Sequence, residues 1–149
     1  MKNPYLKPGR LAVVIASITA LGTYKFYKLD IRSWAERISG DAEKDDEFKA
    51  VFTEHPEFFR FNKTRDRVSL VWRRQRPKRF HVDKGVMVDN PEGSPHLPDD
   101  LLSRQPLEPS ELTALVDVAV NLHARAVEQN VASKWWVPIL AGILAFTGS

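Results

Sequence analysis

The sequence predicts a membrane-anchored α+β protein. Its expected parts are an N-terminal transmembrane helix, a small helical domain with a β-hairpin, a proline-rich linker, and a long amphipathic helix running into a C-terminal hydrophobic helix. Three observations carry that expectation. Two apolar segments, Leu11 to Thr23 and Trp135 to Gly148, lie near opposite ends of the 149-residue chain. The stretch between them is strongly charged and shows both helical and alternating apolar periods. Five prolines, Pro91, Pro95, Pro98, Pro106 and Pro109, interrupt any regular element in the second half. The predicted units are 1–29, 30–88, 89–109, 110–134 and 135–149.

The first apolar segment meets no charged side chain until Lys25. A spanning helix needs about 20 residues, a length reached only by continuing to Leu29. Tyr24 and Tyr27 suit the interface there, and Lys25 and Lys28 can lift their ammonium groups to the headgroups. Two other readings stay open. Lys2, Lys7 and Arg10 ahead of Ala20-Leu21-Gly22 have the pattern of a cleaved signal peptide, and the same segment also suits a buried helix of an ordinary domain. Ala16, Ala20 and Thr23 recur at helical spacing as a small-residue face for close helix contact.

From Asp30 the pattern changes. Ile31, Trp34, Ala35 and Ile38 predict a short helix stopping at Ser39-Gly40, and the acidic run from Asp41 to Glu47 opens a second helix that Pro56 ends. Phe58 to Phe61 and Arg67 to Arg74 predict two strands joined by the polar turn Asn62 to Asp66. Val68, Leu70 and Trp72 would share one face of the second strand.

A helix ending in HPEFF, a strand, a polar turn and a strand VSLVWRR resemble the last helix and wing of a winged-helix domain, over Asp45 to Arg74. The resemblance implies a small module that binds nucleic acid or another protein, and it leaves the choice between them open.

Arg73, Arg74, Arg76, Lys78 and Arg79 fall within seven residues beside Trp72 and Phe80. Such a patch predicts binding to anionic lipid headgroups, to an acidic partner or, less favoured, to nucleic acid. Beyond the prolines, Leu112, Leu115, Val116, Ala119, Leu122, Ala126 and Val127 predict one amphipathic helix over Ser110 to Lys134, with Ser110 as cap. Lys134, Trp135 and Trp136 then read as an interfacial belt, and Ala141-Gly142 as a second contact face.

Composition limits the chemistry. The chain has no cysteine, and 22 Lys and Arg stand against 19 Asp and Glu, a net charge of +3. Thiolate zinc sites and cysteine nucleophiles are excluded. The four histidines show no paired ligand spacing, and no glycine-rich phosphate loop or nucleophile elbow is present. No catalytic residue, metal or cofactor is predicted. The expected function is a non-enzymatic interaction or accessory subunit of a membrane complex, set in a bacterial-type inner membrane with its domain in the cytoplasm, with lipids and a protein partner or its own copies as company. The alternatives are a self-assembling membrane effector and a membrane-tethered nucleic-acid-binding regulator.

Overall fold

The computed structural model describes residues 2–93 and 97–134. Its first helix, α1 (Arg10–Thr23), is the apolar segment read above as a membrane span. Val14, Ile18 and Leu21 on it are fully buried, each side chain contributing about 1.5–3 kcal/mol by leaving water. The helix stops at Tyr24, whose backbone is extended at φ −69° and ψ 147°. Lys28–Asp30 beyond it forms strand β1. The extension that would have completed a membrane span is therefore not helical.

The transmembrane prediction is corrected on this point: among the described residues no helix is long and apolar enough to cross a membrane. The membrane anchoring and inner-membrane location argued from this segment fall with it. Neighbouring protein covers the side of α1 that carries Val14, Ser17, Ile18 and Leu21, while Ala12, Ala16, Thr19 and Thr23 on its other side are exposed. The other predicted membrane segment, with Trp135, Trp136, Ala141 and Gly142, lies outside the described residues.

Asp30 caps the next helix, α2 (Ile31–Ser39), accepting from the Ser33 N–H at 3.1 Å, and Gly40 closes it at φ 79°. A 3-10 turn leads to α3 (Asp45–Glu54), whose first turn holds Asp45, Asp46 and Glu47 where the helix dipole favours negative charge. Then come β2 (Phe59–Phe61) and β3 (Arg67–Leu70). β3 lies between β1 and β2, antiparallel to both, with Lys28 and Arg60 each opposite Ser69 and with Leu29 and Phe61 each opposite Val68. Helix, strand, two helices and a hairpin follow in this order, with the sheet ordered β1-β3-β2, and α1 is the first helix, which the sequence hid inside an apparent membrane span.

The second hairpin strand is shorter than predicted. It ends at Leu70, and Val71–Arg74 forms a single helical turn, α4, so Trp72 leaves the face of Val68 and Leu70 and is 39% exposed. A second small sheet follows, with β4 (Phe80–His81) between β5 (Val86–Met87) and β6 (Leu102–Ser103). Part of the stretch read as a linker is tied to the domain: Tyr27 N–H donates to Ser103 Oγ at 3.0 Å, and Leu107 N–H to Gly22 O at 2.9 Å.

The last described helix, α5 (Pro109–Ser133), starts one residue before the predicted cap. Glu108 and Glu111 form a reciprocal capping box there. Leu115, Ala119 and Ala126 face the core, whereas Val127 is 40% exposed. α5 packs against α1 where a Cβ added to Gly22 would stand 2.8 Å from Leu112 Cδ2. Close helix contact thus falls at Gly22, while Ala16 and Thr23 are exposed and Ala20 half-buried. Trp34 completes the core, its Nε1–H donating to Val68 O at 2.9 Å.

The end of α1 is held by Arg73. Its fully buried guanidinium donates to the carbonyls of Leu21 at 2.9 Å, Tyr24, Lys25 at 3.4 Å and Arg104. Burial, then the charge of Arg76, push its pKa down to about 10, which leaves it cationic at neutral pH. Arg73→Ala should strip buried carbonyls of their donor and lower stability by roughly 3 kcal/mol or more. The neighbouring Arg74→Ala on the exposed side should change it by less than about 0.5 kcal/mol. Urea denaturation followed by Trp fluorescence measures both.

Candidate functional site

The fold breaks up the predicted basic patch. Arg73 is buried in the carbonyl cluster at the end of α1. Arg76 forms a salt bridge with Glu111 and reaches Pro106 O. That guanidinium, with the Glu108 N–H, holds the Glu111 carboxyl below its ordinary range. Lys78 pairs with Asp99 at 3.1 Å. Only Arg74 and Arg79 of the five are exposed without an ion pair among the described residues. The predicted interface residues are structural as well. Tyr24 stacks between Trp34, at 6.1 Å, and the Arg37 guanidinium, 3.4 Å from its ring centroid. The Lys25 carbonyl belongs to the Arg73 cluster, and Tyr27 and Lys28 enter and form β1. Lys134 is exposed at the end of α5.

A different set of cations converges on the outer face of the first sheet. Val68 and Leu70 of β3 point into the core, so the pleat places Arg67 and Ser69 on the opposite face, together with their cross-strand partners Lys28, Asp30 and Arg60, although Ser69 itself is covered there. Lys28, Ser69 and Arg60 thus form one row across three strands, with Arg67 in the next. The Ser69 hydroxyl in the middle of that row is buried and has no hydrogen-bond partner among the described residues. Asp30 on this face is engaged by the Ser33 N–H and hydroxyl, and its pKa is held down against burial by those bonds and by the charge of Arg67, while Asp99 and Asp100 line the same hollow as Lys28 and Arg67. Lys63 and Arg65 are exposed on the hairpin turn, Arg65 on the side of Phe61, which pairs with Val68. None of Lys28, Arg60, Lys63, Arg65 and Arg67 forms a salt bridge among the described residues.

The turn is rigidly built. Asn62 Oδ1 accepts from the N–H groups of Asp66 and Arg67, both at 3.0 Å, and Asn62 Nδ2 donates to Asp66 Oδ1 at 2.7 Å. The Thr64 hydroxyl also donates to Asp66, and these bonds keep the Asp66 carboxyl ionised below its usual range. Arg65 adopts φ 60°, and among the described residues it is the non-glycine with positive φ. Its guanidinium lies 4.3 Å over the Phe61 ring. Beside it a shallow groove of about 320 Å³ runs between the end of α3 and β2, lined by Phe52, Thr53, Pro56, Phe59, Arg60 and Asn62. The sequence read Arg60 and Arg67 only as strand residues and Asn62 to Asp66 as a polar turn. The available signal was the alternation of Arg60 with Phe59 and Phe61, and of Arg67 with Val68.

Acid–base chemistry was tested at the one buried histidine cluster. His55, fully buried, has Arg10 Nη1 3.2 Å from Nε2 and Glu57 Oε1 3.0 Å from Nδ1. Because arginine only donates, the tautomer is assigned with the proton on Nδ1, toward Glu57. Glu57 also accepts from Tyr5 OH at 2.8 Å, and Lys7 and Arg10 bind Glu54 at 2.5 and 3.1 Å. Burial and then Glu57 drive the Tyr5 phenol well above its ordinary value. With both His55 nitrogens engaged and the ring out of solvent, the cluster ties the N-terminal arm to the end of α3. His81 likewise spends Nδ1 accepting from the Asp83 and Lys84 N–H groups, at 3.2 and 3.1 Å. Among the described residues no group of three or more His, Cys, Asp or Glu side chains is placed to hold a metal.

No protein-family model, curated protein or solved structure matches the chain.

The N-terminal tether should be acid-sensitive. Lys7, then Arg10, pull the Glu54 carboxyl below 4.5 against burial; burial raises Glu57, but bonds from His55, the backbone and Tyr5 bring it below 4.5. Carboxyls that titrate lower when folded add stability that is complete above the unfolded value and is lost as pH falls through the folded values. The urea midpoint is expected to fall as pH drops from about 4.5, with a shallower fall in Glu57→Gln.

Proposed function

We propose that the chain is a non-enzymatic binding module that takes the phosphate backbone of a nucleic acid on the outer sheet face and the wing. One observation carries this reading: Lys28, Arg60 and Arg67 share one face of the sheet, Lys63 and Arg65 are exposed on the adjoining hairpin turn, and none of the five forms a salt bridge among the described residues. Cations left unpaired at the surface release condensed counterions when they meet phosphates, which supplies sequence-independent affinity. The element order supports the reading, since a hairpin wing beside a helix is a known shape for backbone contact.

A second reading, a protein-binding adaptor, is supported by α5. Val120, Val127 and Val131 recur on one side of that helix and are 42%, 40% and 64% exposed. An apolar stripe of this kind suits a protein partner better than a nucleic acid.

Fluorescence anisotropy with a labelled oligonucleotide, repeated across salt concentrations, separates the two. Binding should weaken linearly in log–log form, and Arg60→Ala, Lys63→Ala and Arg67→Ala should each flatten the slope by about 0.7–0.9. Arg74→Ala and Arg79→Ala should leave it unchanged. A slope unaltered by all three wing and sheet variants, or no binding at all, overturns the nucleic-acid reading.

A further inference from the structure

We infer that the nucleic acid is single-stranded, and that one unpaired base stacks on the Arg65 guanidinium, which rests over Phe61 at the hairpin turn. The inference rests on the backbone-binding reading above and deepens it.

The first argument is exclusion of the duplex. In helix-turn-helix modules the second helix of the pair enters the major groove and reads base edges. The corresponding element here is α3, and its solvent face carries Asp46 and Glu47 beside Lys49. Glu43 and Lys44 stand just before it, with Glu43 paired to Arg32 at 3.0 Å. Carboxylates on the inserting face would be driven against two walls of phosphate. The cationic surface lies instead on the sheet and wing, which can follow one strand without entering a groove.

The second argument is the stack itself. A guanidinium plane serves as a platform for unstacked bases much as an aromatic ring does. Arg65 lies over Phe61, 4.3 Å from its centroid, and is exposed at the turn, where a base can reach it. The turn is fixed by the Asn62 and Asp66 bonds, so the platform needs little ordering when the ligand arrives. Arg65 also holds φ 60°, a conformation that glycine adopts freely and arginine adopts at a cost. A position where local stability is given up for a particular side chain points to use of that side chain. The groove flanked by Phe52, Phe59 and Arg60 runs beside the platform, with room for the neighbouring base and a cation for its phosphate.

The experiment is a competition by anisotropy on the full chain. The probes are a mixed-sequence single strand, the same strand annealed to its complement, an abasic strand of equal length, and polyglutamate of equal charge. The single strand should bind roughly tenfold or more tightly than the abasic strand, the size of one stacked base. Arg65→Lys keeps the charge and removes the plane, so it should erase that difference while leaving binding of the abasic strand unchanged. Phe61→Leu, which retains apolar packing, should erode it in part. Arg65→Gly should lose the same single-strand preference and raise the melting temperature by relieving the backbone, whereas a purely structural Arg65 would lower it. Duplex binding as tight as the single strand, an abasic strand that binds equally well, or polyglutamate that matches the single strand would overturn the inference while leaving a polyanion surface in place. If no oligonucleotide binds, the backbone reading fails and this inference with it.

Discussion

Everything in the fold hangs on how the end of α1 is closed. A helix leaves its last carbonyls without intrahelical partners, and at this end water is largely excluded by α5 and the two sheets. Arg73 answers that need with one side chain from α4, reaching the carbonyls of Leu21, Tyr24 and Lys25 and that of Arg104 ahead of α5. Its positive charge also meets the negative end of the helix dipole. By that bond set the start of β1, the end of the hairpin and the approach to α5 are fixed to a common point. The sheet register, and hence the face on which cations appear, follows from where β1 begins.

The charge map is the second consequence. A linear count placed the functional cations between Arg73 and Arg79, where they are densest in sequence. Folding spends Arg73 on helix closure, Arg76 on Glu111 and Lys78 on Asp99. The pleat of β1, β2 and β3 gathers residues far apart in sequence, Lys28 from one end and Arg60 and Arg67 from the other. Alternation with core residues guarantees that they share a face.

Two attachments keep this unit closed around its core. The N-terminal arm is bound through Tyr5, Lys7 and Arg10 to Glu57, Glu54 and His55 at the far end of α3. α5 lies along α1 where Gly22 lets Leu112 and Leu107 approach.

The sequence alone determined the local elements: the stop of α2 at Gly40, the acidic start of α3, the hairpin around Asn62 to Asp66, and the apolar stripe of Leu115, Ala119 and Ala126 on α5. Those depend on spacing and on residues within a few positions of one another. It did not determine the environment of α1, because an all-apolar helix reads the same whether lipid or protein covers it, and only its termination at Tyr24 and the packing of α5 decided for protein. Nor did it determine which arginines are free. A charge in sequence has no partner until the chain folds, so the burial of Arg73 and the exposure of Arg60, Lys63, Arg65 and Arg67 were settled by contacts between residues remote in sequence.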